Sequence, residues 1–581
     1  MLRQARLSSR YLVLLLTPWP LLSTASAPDA SKAAALNSDE FSWHKIAPSD
    51  ELVWHDCYSG HQCARLKVPL DYENPDGASA AIAMRRIHSV VPHDSPEYRG
   101  PILASPGGPG ASGVDFIQQF GHKISVIVGP EFDIVGCDPR GISRSTPRAS
   151  FFEDRAERNL FWSTSGNSIT ASSSDDALAR MWAQSMLVGR LAGERDDGNL
   201  RFIHSDYTAR DMLRIVEAHG REKIQYWGFS YGSVLGATFA AMFPDKVGRL
   251  VIDGVVDSEN YYAAECSNNL MDTEKVWTAF LNGCVDAGPT KCPIYSPTAA
   301  EIQATVDDLY DSLRKRPIPV RTATSYGIVD YDLMRNTIFV SLYKPFALFP
   351  TLARALADLS AGNATGLYQI SEAPQFKCSC DLDEFSFENV NDGGLAVLCN
   401  DGKRISKSFE DAEKHYRNLL ANSSWADVWM SACDRLACMA WPEFPKTNFH
   451  GPFVANTSFP LLMVGNTADP VTPLWAAKKM AQGFSGSVVL TQDSIGHCSL
   501  AAPSLCTQKH IRNYFRDGVL PEAGTVCSTD SGPFDALLEG QGVEGGGEEA
   551  QVVLGGFSAE DRTLLEAVQG LARAWDVPLG M

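Results

Sequence analysis

From residue 100 onward, short uninterrupted apolar runs alternate with stretches of helical periodicity. "PILAS", "FDIVGC", "IQYWG" and "RLVIDGVV" each read as a strand bounded by turn residues. A strand that is apolar throughout has no face left for water, so this set belongs in a parallel sheet covered by helices on both sides. The pattern lapses after Val255 and resumes with "FPLLMVGN" and "GSVVLTQ", separated by the helical "LWAAKKMAQGF". The expected fold class is α/β, a mostly parallel sheet with a long insertion. The chain of 581 residues is long enough for both parts.

The segment from about 260 to 450 holds helix-like periodicity, eight of the fourteen cysteines and no clear parallel strand, and it reads as a helical cap. The expected organisation is a first core part over 26–260, the cap over 261–450 and a second core part over 451–533. Beyond Pro533, "LEGQGVEGGGEEAQVVLGG" reads as a linker. A last helix opens at Ser558 and Asp561, a possible capping box, and places Leu564, Val568, Leu571 and Trp575 on one face, expected to dock on the body.

The N-terminus carries Arg3, Arg6 and Arg10 ahead of an apolar stretch from Tyr11 to Leu22, followed by small residues. This is the pattern of a signal peptide over residues 1–25, cut after Ser23-Thr24-Ala25. A membrane anchor would need roughly 20 apolar residues, and Pro18 and Pro20 interrupt the run. A secreted protein without an anchor is expected. Fourteen cysteines then suggest disulfides, and Cys57 with Cys63, Cys284 with Cys292 and Cys498 with Cys506 are close pairs able to clip local loops, although spacing does not fix connectivity. Neither Cys378-Ser379-Cys380 nor Cys433 to Cys438 has the spacing of a zinc site, so no metal and no cofactor are expected. Asn363, Asn422 and Asn456 head glycosylation sequons. Asp and Glu number 69 against 50 Lys and Arg, a net charge of −19, which argues against nucleic acid as a partner.

The chemistry gathers around "QYWGFSYGSVLG", where Ser230 stands between Gly228 and Gly232 at a strand-to-helix junction. A serine on such a strained turn is exposed for attack, and side chains two residues to either side would strike neighbouring backbone. A plain tight turn is the alternative. The hydroxyl needs a base and an orienting carboxylate. Asp469 in "LLMVGNTADPVTP" and His497 in "VVLTQDSIGHCSL" follow successive strands 28 residues apart, in the chain order Ser, acid, His. Asp493 is the reserve acid. The bland readings are a helix cap for Asp469 and a surface loop for His497. A developing oxyanion needs two backbone donors. Tyr231 follows the serine, and Gly108 in "ILASPGGPGASG" is the candidate for the second, with Gly107 next. Asp138 and Arg140 in "GCDPRG" are expected to fix their loop by hydrogen bonds, with Cys137 a buried thiol.

"SPGGPGASG", "GCDPRGISRS", "YWGFSYGSVLGATFAAMFPDKVGRLVIDGVVD" and "GNTADPVTP" with "GHCSL" together resemble the secreted tripeptidyl aminopeptidase group of serine peptidases, from Trp54 to about Cys527. The resemblance implies an α/β-hydrolase core, a helical cap and a C-terminal part carrying acid and base, with Ser230, Asp469 and His497 on the family's triad positions. Ala111 departs from the pattern, where a third glycine is usual. The expected function is a secreted serine hydrolase acting through an acyl-enzyme, an aminopeptidase releasing short N-terminal peptides. The alternatives are a hydrolase of an ester, lactone or amide in a small metabolite, and a binding protein on an inactive scaffold. The acidic cluster Asp381, Asp383, Glu384 and Glu388 is available to a substrate ammonium but reads as a solvated face.

Overall fold

The apolar runs form the middle of a ten-stranded sheet in a computed structural model that describes residues 41–165, 169–372, 389–432, 435–445, 447–535 and 558–574. The expected signal peptide, the acidic cluster, the Gly/Glu-rich stretch and Trp575 lie outside these residues. The strands are β1 His55–Cys57, β2 His61–Pro69, β3 Ser79–Ile87, β4 Gly100–Ser105, β5 Phe132–Cys137, β6 Ile224–Phe229, β7 Val247–Asp253, β10 Leu462–Ala468, β11 Val488–Ile495 and β12 Val526–Ser528. Their order is β1-β2-β3-β5-β4-β6-β7-β10-β11-β12. From β5 to β12 every pairing is parallel, whereas β1, β2 and β3 form an antiparallel edge. The chain passes from β4 to β5 on one side and to β6 on the other. This reversal opens a crevice at the carboxyl ends of β4 and β6, where doubly wound sheets bind ligands.

The helices follow the sequence closely. The core carries α1 Gly113–Val128, and α2 Arg155–Ser165 and α3 Ala177–Glu194 come next in the chain, before α4 Ser205–Ala218 and α5 Tyr231–Met242. The long insertion contributes α6 Ser258–Tyr262, α7 Thr273–Lys291, α8 Ala299–Lys315, α9 Tyr331–Tyr343, α10 Pro345–Ser360, α11 Thr365–Ile370, α12 Val390–Asp401, α13 Phe409–Leu420, α14 Ala426–Ala432 and α15 Arg435–Cys438. It also holds a small antiparallel hairpin, β8 Ile318–Arg321 with β9 Tyr326–Val329, inside a segment expected to be helical. The chain closes with α16 Leu474–Ala481, α17 Leu505–Asp517 and α18 Ala559–Ala574. Helix α3 packs on α15 and α13, so the chain before β6 also contributes to the helical layer.

Both sheet faces are buried, which is why the strands read as continuously apolar. Trp227, Phe229, Val251 and Val464 pack with Phe116, Ile117 and Phe120 of α1 and Ile511 and Phe515 of α17. Tyr226, Leu250, Ile252 and Met463 turn the other way, toward Met212 and Ile215 of α4, Val234 and Leu235 of α5 and Met480 of α16. None of the helices is long and apolar enough to cross a membrane among the described residues.

Disulfides join Cys57 to Cys63 and Cys284 to Cys292, as their spacing suggests. The pairing of Cys498 with Cys506 is corrected. Cys506 on α17 bonds Cys527 on β12, while Cys498 is a free thiol buried under the end of β7. Sequence proximity misled here because Cys498 belongs to the loop after β11 and Cys506 to a helix that leaves it. A further bridge, Cys399 to Cys438, ties α12 to α15. Asn363, Asn422 and Asn456 are all exposed.

Helix α18 docks as expected. Asp561 donates its backbone N–H to Ser558 Oγ at 3.1 Å, and Leu564, Val568 and Leu571 are fully buried against α1 and its neighbours. Lys509 of α17 reaches Asp561 at 2.6 Å. Truncating a fully buried leucine removes transfer energy and leaves a cavity. Leu564→Ala should therefore lower the unfolding free energy by about 2 to 5 kcal/mol in urea denaturation. A loss under about 0.5 kcal/mol, the usual size for surface changes, would show the helix to be dispensable.

Candidate active site

Ser230 sits between β6 and α5 with φ 56° and ψ −122°, a conformation that L-residues rarely adopt. Two hydrogen bonds and the bare glycines on either side hold it there. Its N–H donates to Asp253 O at 2.9 Å, fixing the turn to the end of β7. Gly228 has no room for a side chain, since a Cβ would lie 2.3 Å from Gly232 O, and one on Gly232 would lie 2.8 Å from Ser105 O. The steric expectation for both glycines is met. Ser233 donates Oγ–H to Ser230 O at 2.5 Å and closes the first turn of the helix.

The loop after β4 comes directly against this turn. A Cβ on Gly107 would fall 2.5 Å from Phe229 O, 2.9 Å from Ser230 Cβ and 3.2 Å from Tyr231 N. Gly107, Gly108 and Gly110 all have φ beyond +100°, which side-chain-bearing residues avoid. Gly110 packs on α12, where its Cβ would meet Val390 O at 2.4 Å and Gly394 at 3.1 Å. The N–H of Tyr231 and the glycine loop therefore lie together beside Ser230. Gly107 makes the closest approach, and Gly108 follows it on the same left-handed loop.

Asp469 and His497 meet at the carboxyl ends of β10 and β11. Both are fully buried, and His497 Nδ1 lies 3.0 Å from each carboxylate oxygen. Asp469 also accepts from the N–H groups of Val471, Thr472 and Cys498 at 2.9 to 3.0 Å. Burial opposes its ionisation, yet the His497 ring and these donors hold the carboxyl below its ordinary range. Asp469 does not cap the following helix, whose N-cap is Pro473; its Oδ1 closes the turn at Val471 and Thr472 while both carboxylate oxygens face His497. His497 Nε2 is buried without a hydrogen-bond partner among the described residues. The ring stands edge-on to Tyr343 at 5.1 Å, and its backbone N–H donates to Tyr343 O at 2.9 Å, so the end of α9 seats the histidine. Asp493 is exposed and accepts from Thr467 Oγ1 at 2.9 Å, so the reserve acid stands apart from this pair.

Four positioning residues, Asn466, Asp253, Ser205 and Asp401, escaped the sequence reading. Asn466 on β10 donates Nδ2 to Gly496 O and Cys498 O at 2.7 and 2.8 Å, gripping the loop on both sides of His497. Asp253, fully buried at the end of β7, accepts from Ser499 N at 2.7 Å, Ser499 Oγ at 2.5 Å and Trp227 Nε1 at 3.3 Å. Its carbonyl holds Ser230, so one residue ties the Ser230 turn to the His497 loop. Tyr231 is anchored by its hydroxyl to Ser205 Oγ at 2.6 Å, and Asp401 of α12 accepts from Ser205 N at 2.9 Å.

Asp138 and Arg140 are buried and brace loops, as expected. Asp138 accepts from Ser112 Oγ, Val114 N and Arg144 N, and Arg140 pairs bidentately with Asp211 at 2.6 and 2.8 Å. Cys137 is a free, half-buried thiol that burial pushes up to about 12.

Burial lifts Asp253 from 3.8 to about 6, against the Ser499 and Trp227 hydrogen bonds. A carboxyl with a raised folded pKa gives its full stabilisation below the unfolded value and loses it as pH rises through the folded one. A tenfold change in proton affinity is worth about 1.36 kcal/mol. Relative to Asp253→Asn, the wild type should therefore lose about 3 kcal/mol of stability between about pH 3 and pH 7. Urea unfolding of both proteins across that range reads the difference. A difference that does not change with pH would return Asp253 to an ordinary carboxyl.

Comparison with known proteins agrees with this architecture. A family model described as alpha/beta hydrolase fold matches residues 100–287, and one described as TAP-like protein matches residues 422–527. Serine protease Hip1 of Mycobacterium tuberculosis is 27% identical over 481 residues, covering 81% of this chain and 87% of that protein. Tripeptidyl aminopeptidase of Streptomyces lividans is 26% identical over 504 residues, covering 83% and 87%. Carboxylesterase B of Mycobacterium tuberculosis is 26% identical over 528 residues, covering 88% and 94%. With a parallel sheet reversing at β4, a strained serine after β6 and an acid–histidine pair after β10 and β11, the chain is a serine hydrolase of the α/β-hydrolase family with a TAP-like C-terminal part.

Proposed function

We propose that the chain is a secreted aminopeptidase that releases short N-terminal peptides through an acyl-enzyme on Ser230. The observation that carries the reading is the buried Asp469–His497 pair, with Nδ1 held by the carboxylate and Nε2 left unpartnered. The carboxylate keeps the proton on Nδ1, so Nε2 is the basic nitrogen. His497 takes the Ser230 proton as Oγ bonds to the substrate carbonyl carbon, and the oxyanion is received by the N–H groups of Tyr231 and Gly108. Collapse breaks the C–N bond, and the proton passes from His497 to the leaving amine. Water then repeats the cycle in reverse and frees Ser230.

Relatives named tripeptidyl aminopeptidase and serine protease support peptide as substrate. The leader at residues 1–25, the disulfides and the exposed sequons support passage through a secretory route. A second reading has an observation of its own. The relative named carboxylesterase B favours hydrolysis of an ester in a small metabolite, for which the same residues serve equally.

Ser230→Ala should fold as the wild type does, by circular dichroism and melting temperature, while turnover falls by at least about 10^4-fold. A fluorophosphonate probe should label the wild type at Ser230 alone. Activity within tenfold of wild type in the variant would refute the assignment. The bond is decided by a second comparison. Acetylating the α-amine of a peptide substrate should cost about 100-fold or more in kcat/KM, because a site built for an ammonium is left with unpaired polar groups. Equal rates on free and acetylated peptides, with faster turnover of simple esters, would favour the metabolite reading.

A further inference from the structure

The opposite end of the sheet carries a second concavity, of about 680 Å³. Its walls include Pro101 at the start of β4, Lys223 and Gln225 at the start of β6, and Gly248 and Arg249 at the start of β7. These are the amino ends of the strands whose carboxyl ends carry the Ser105–Gly110 loop, Ser230 and Asp253. A strand rises about 3.3 Å per residue, so the six residues of β6 separate the two sites by roughly 20 Å.

In a chain of net charge −19 this concavity is lined by five cations, Arg99, Arg221, Lys223, Arg249 and Arg516, against a single carboxylate, Glu222. Arg99 leans toward Glu131 and Asp517 at 3.9 Å each, and Arg516 pairs with Asp517 at 2.9 Å. Among the described residues Arg221, Lys223 and Arg249 have no carboxylate within ion-pair distance, although the chain holds an excess of acids.

Two of these cations are held in place. The Arg249 guanidinium stacks on Phe459 at 3.6 Å and donates Nη1 to Gly248 O at 3.0 Å, while its Nε is buried without a hydrogen-bond partner among the described residues. A Cβ at Gly518 would lie 2.4 Å from Arg249 Nη2. Arg221 lies over Tyr98 at 5.1 Å, and a Cβ at Gly100 would lie 3.0 Å from its Nε. Both glycines have positive φ, 92° for Gly100 and 72° for Gly518, so the backbone is shaped to admit the guanidinium groups. Burial, with Arg99 adding its like charge, holds Arg249 below its ordinary range. Two guanidinium forks match the paired oxygens of phosphate or sulfate, and three uncompensated cations call for more than one negative charge.

We infer that this concavity is a second ligand site, separate from Ser230, for a small phosphate or sulfate ester of at least two negative charges.

The test is titration calorimetry on the full chain with inorganic pyrophosphate in one arm and a disulfated disaccharide in the other, at low and at physiological ionic strength. Saturable binding to either anion is expected, and the arm that binds tells phosphate from sulfate. Arg221→Gln should weaken it about tenfold, the equivalent of one charge-assisted contact. Lys223→Gln, an exposed change that leaves the fold untouched, should weaken it severalfold and reduce the salt dependence. Esterase turnover at Ser230 should be unchanged in both variants. Absence of binding in both arms, or binding retained at full strength in the Arg221→Gln/Lys223→Gln protein, overturns the inference.

Discussion

The site depends on a serine held in a conformation that its own backbone resists. A positive φ at a non-glycine residue costs of the order of 1 to 3 kcal/mol and persists only where the surroundings over-determine it. Here the surroundings are mostly backbone. Asp253 O receives the Ser230 N–H, while Gly107, Gly228 and Gly232 let neighbouring chain approach to distances that a methyl group would block. The strain at Ser230 is thus supported by the parallel sheet itself, because Gly107 follows β4 and Asp253 ends β7, the two strands flanking β6.

The helical layer completes what the sheet begins. Helix α12 is buried along nearly its whole length, yet it carries Asn389, Asp392, Asn400 and Asp401 at or near its ends. Each has a backbone or charged partner, although Asp392 takes Phe151 N and Arg158 on Oδ2 alone and its buried Oδ1 has no partner among the described residues. Asn389 bridges Ser143 N, Gly141 O and Ala149 O, Asn400 donates to Leu200 O and Ile203 O, and Asp392 receives Phe151 N. The glycines between them press on Gly110 and Ile142. The same helix therefore backs the Gly107–Gly110 loop at one end and, through Asp401 and Ser205, steadies Tyr231 at the other. A buried polar network of this kind is costly when half satisfied and specifies position when complete.

The parallel strands, the Ser230 turn and the pairing of Asp469 with His497 were legible because each rests on local pattern or on chain order. The antiparallel edge was not, since β3 buries Arg85 and Arg86, whose charge interrupts the apolar pattern of a core strand. Arg86 is balanced by Asp133 at 3.0 Å and Arg85 by His61 and Gln118, all distant in sequence. Asp253 lay hidden in an apolar strand because Ser499, the partner that explains it, is 246 residues away. Cys498 was misread for the converse reason, since closeness along the chain to Cys506 says nothing about a loop that folds under β7.

The two ends of the sheet differ in how they handle charge. At the carboxyl ends, Asp253 and Asp469 are both fully buried, and each accepts from the loop that follows β11, Asp253 from Ser499 N and Oγ and Asp469 from Cys498 N beside the Val471 and Thr472 N–H groups of its own turn. That dependence runs both ways. In the loop holding His497 the N–H groups of Cys498 and Ser499 are taken by carboxylates after β10 and on β7, and those of Gly496 and His497 by the carbonyls of Ala468 and Tyr343, so its position follows the protein frame instead of solvent. At the amino ends of β4, β6 and β7, Arg221 and Arg249 lie over aromatic rings, are only half removed from water and have no carboxylate partner among the described residues. Saturated charge fixes a catalytic geometry, whereas unsaturated charge offers a place to bind, and the parallel sheet keeps the two apart by the length of a strand.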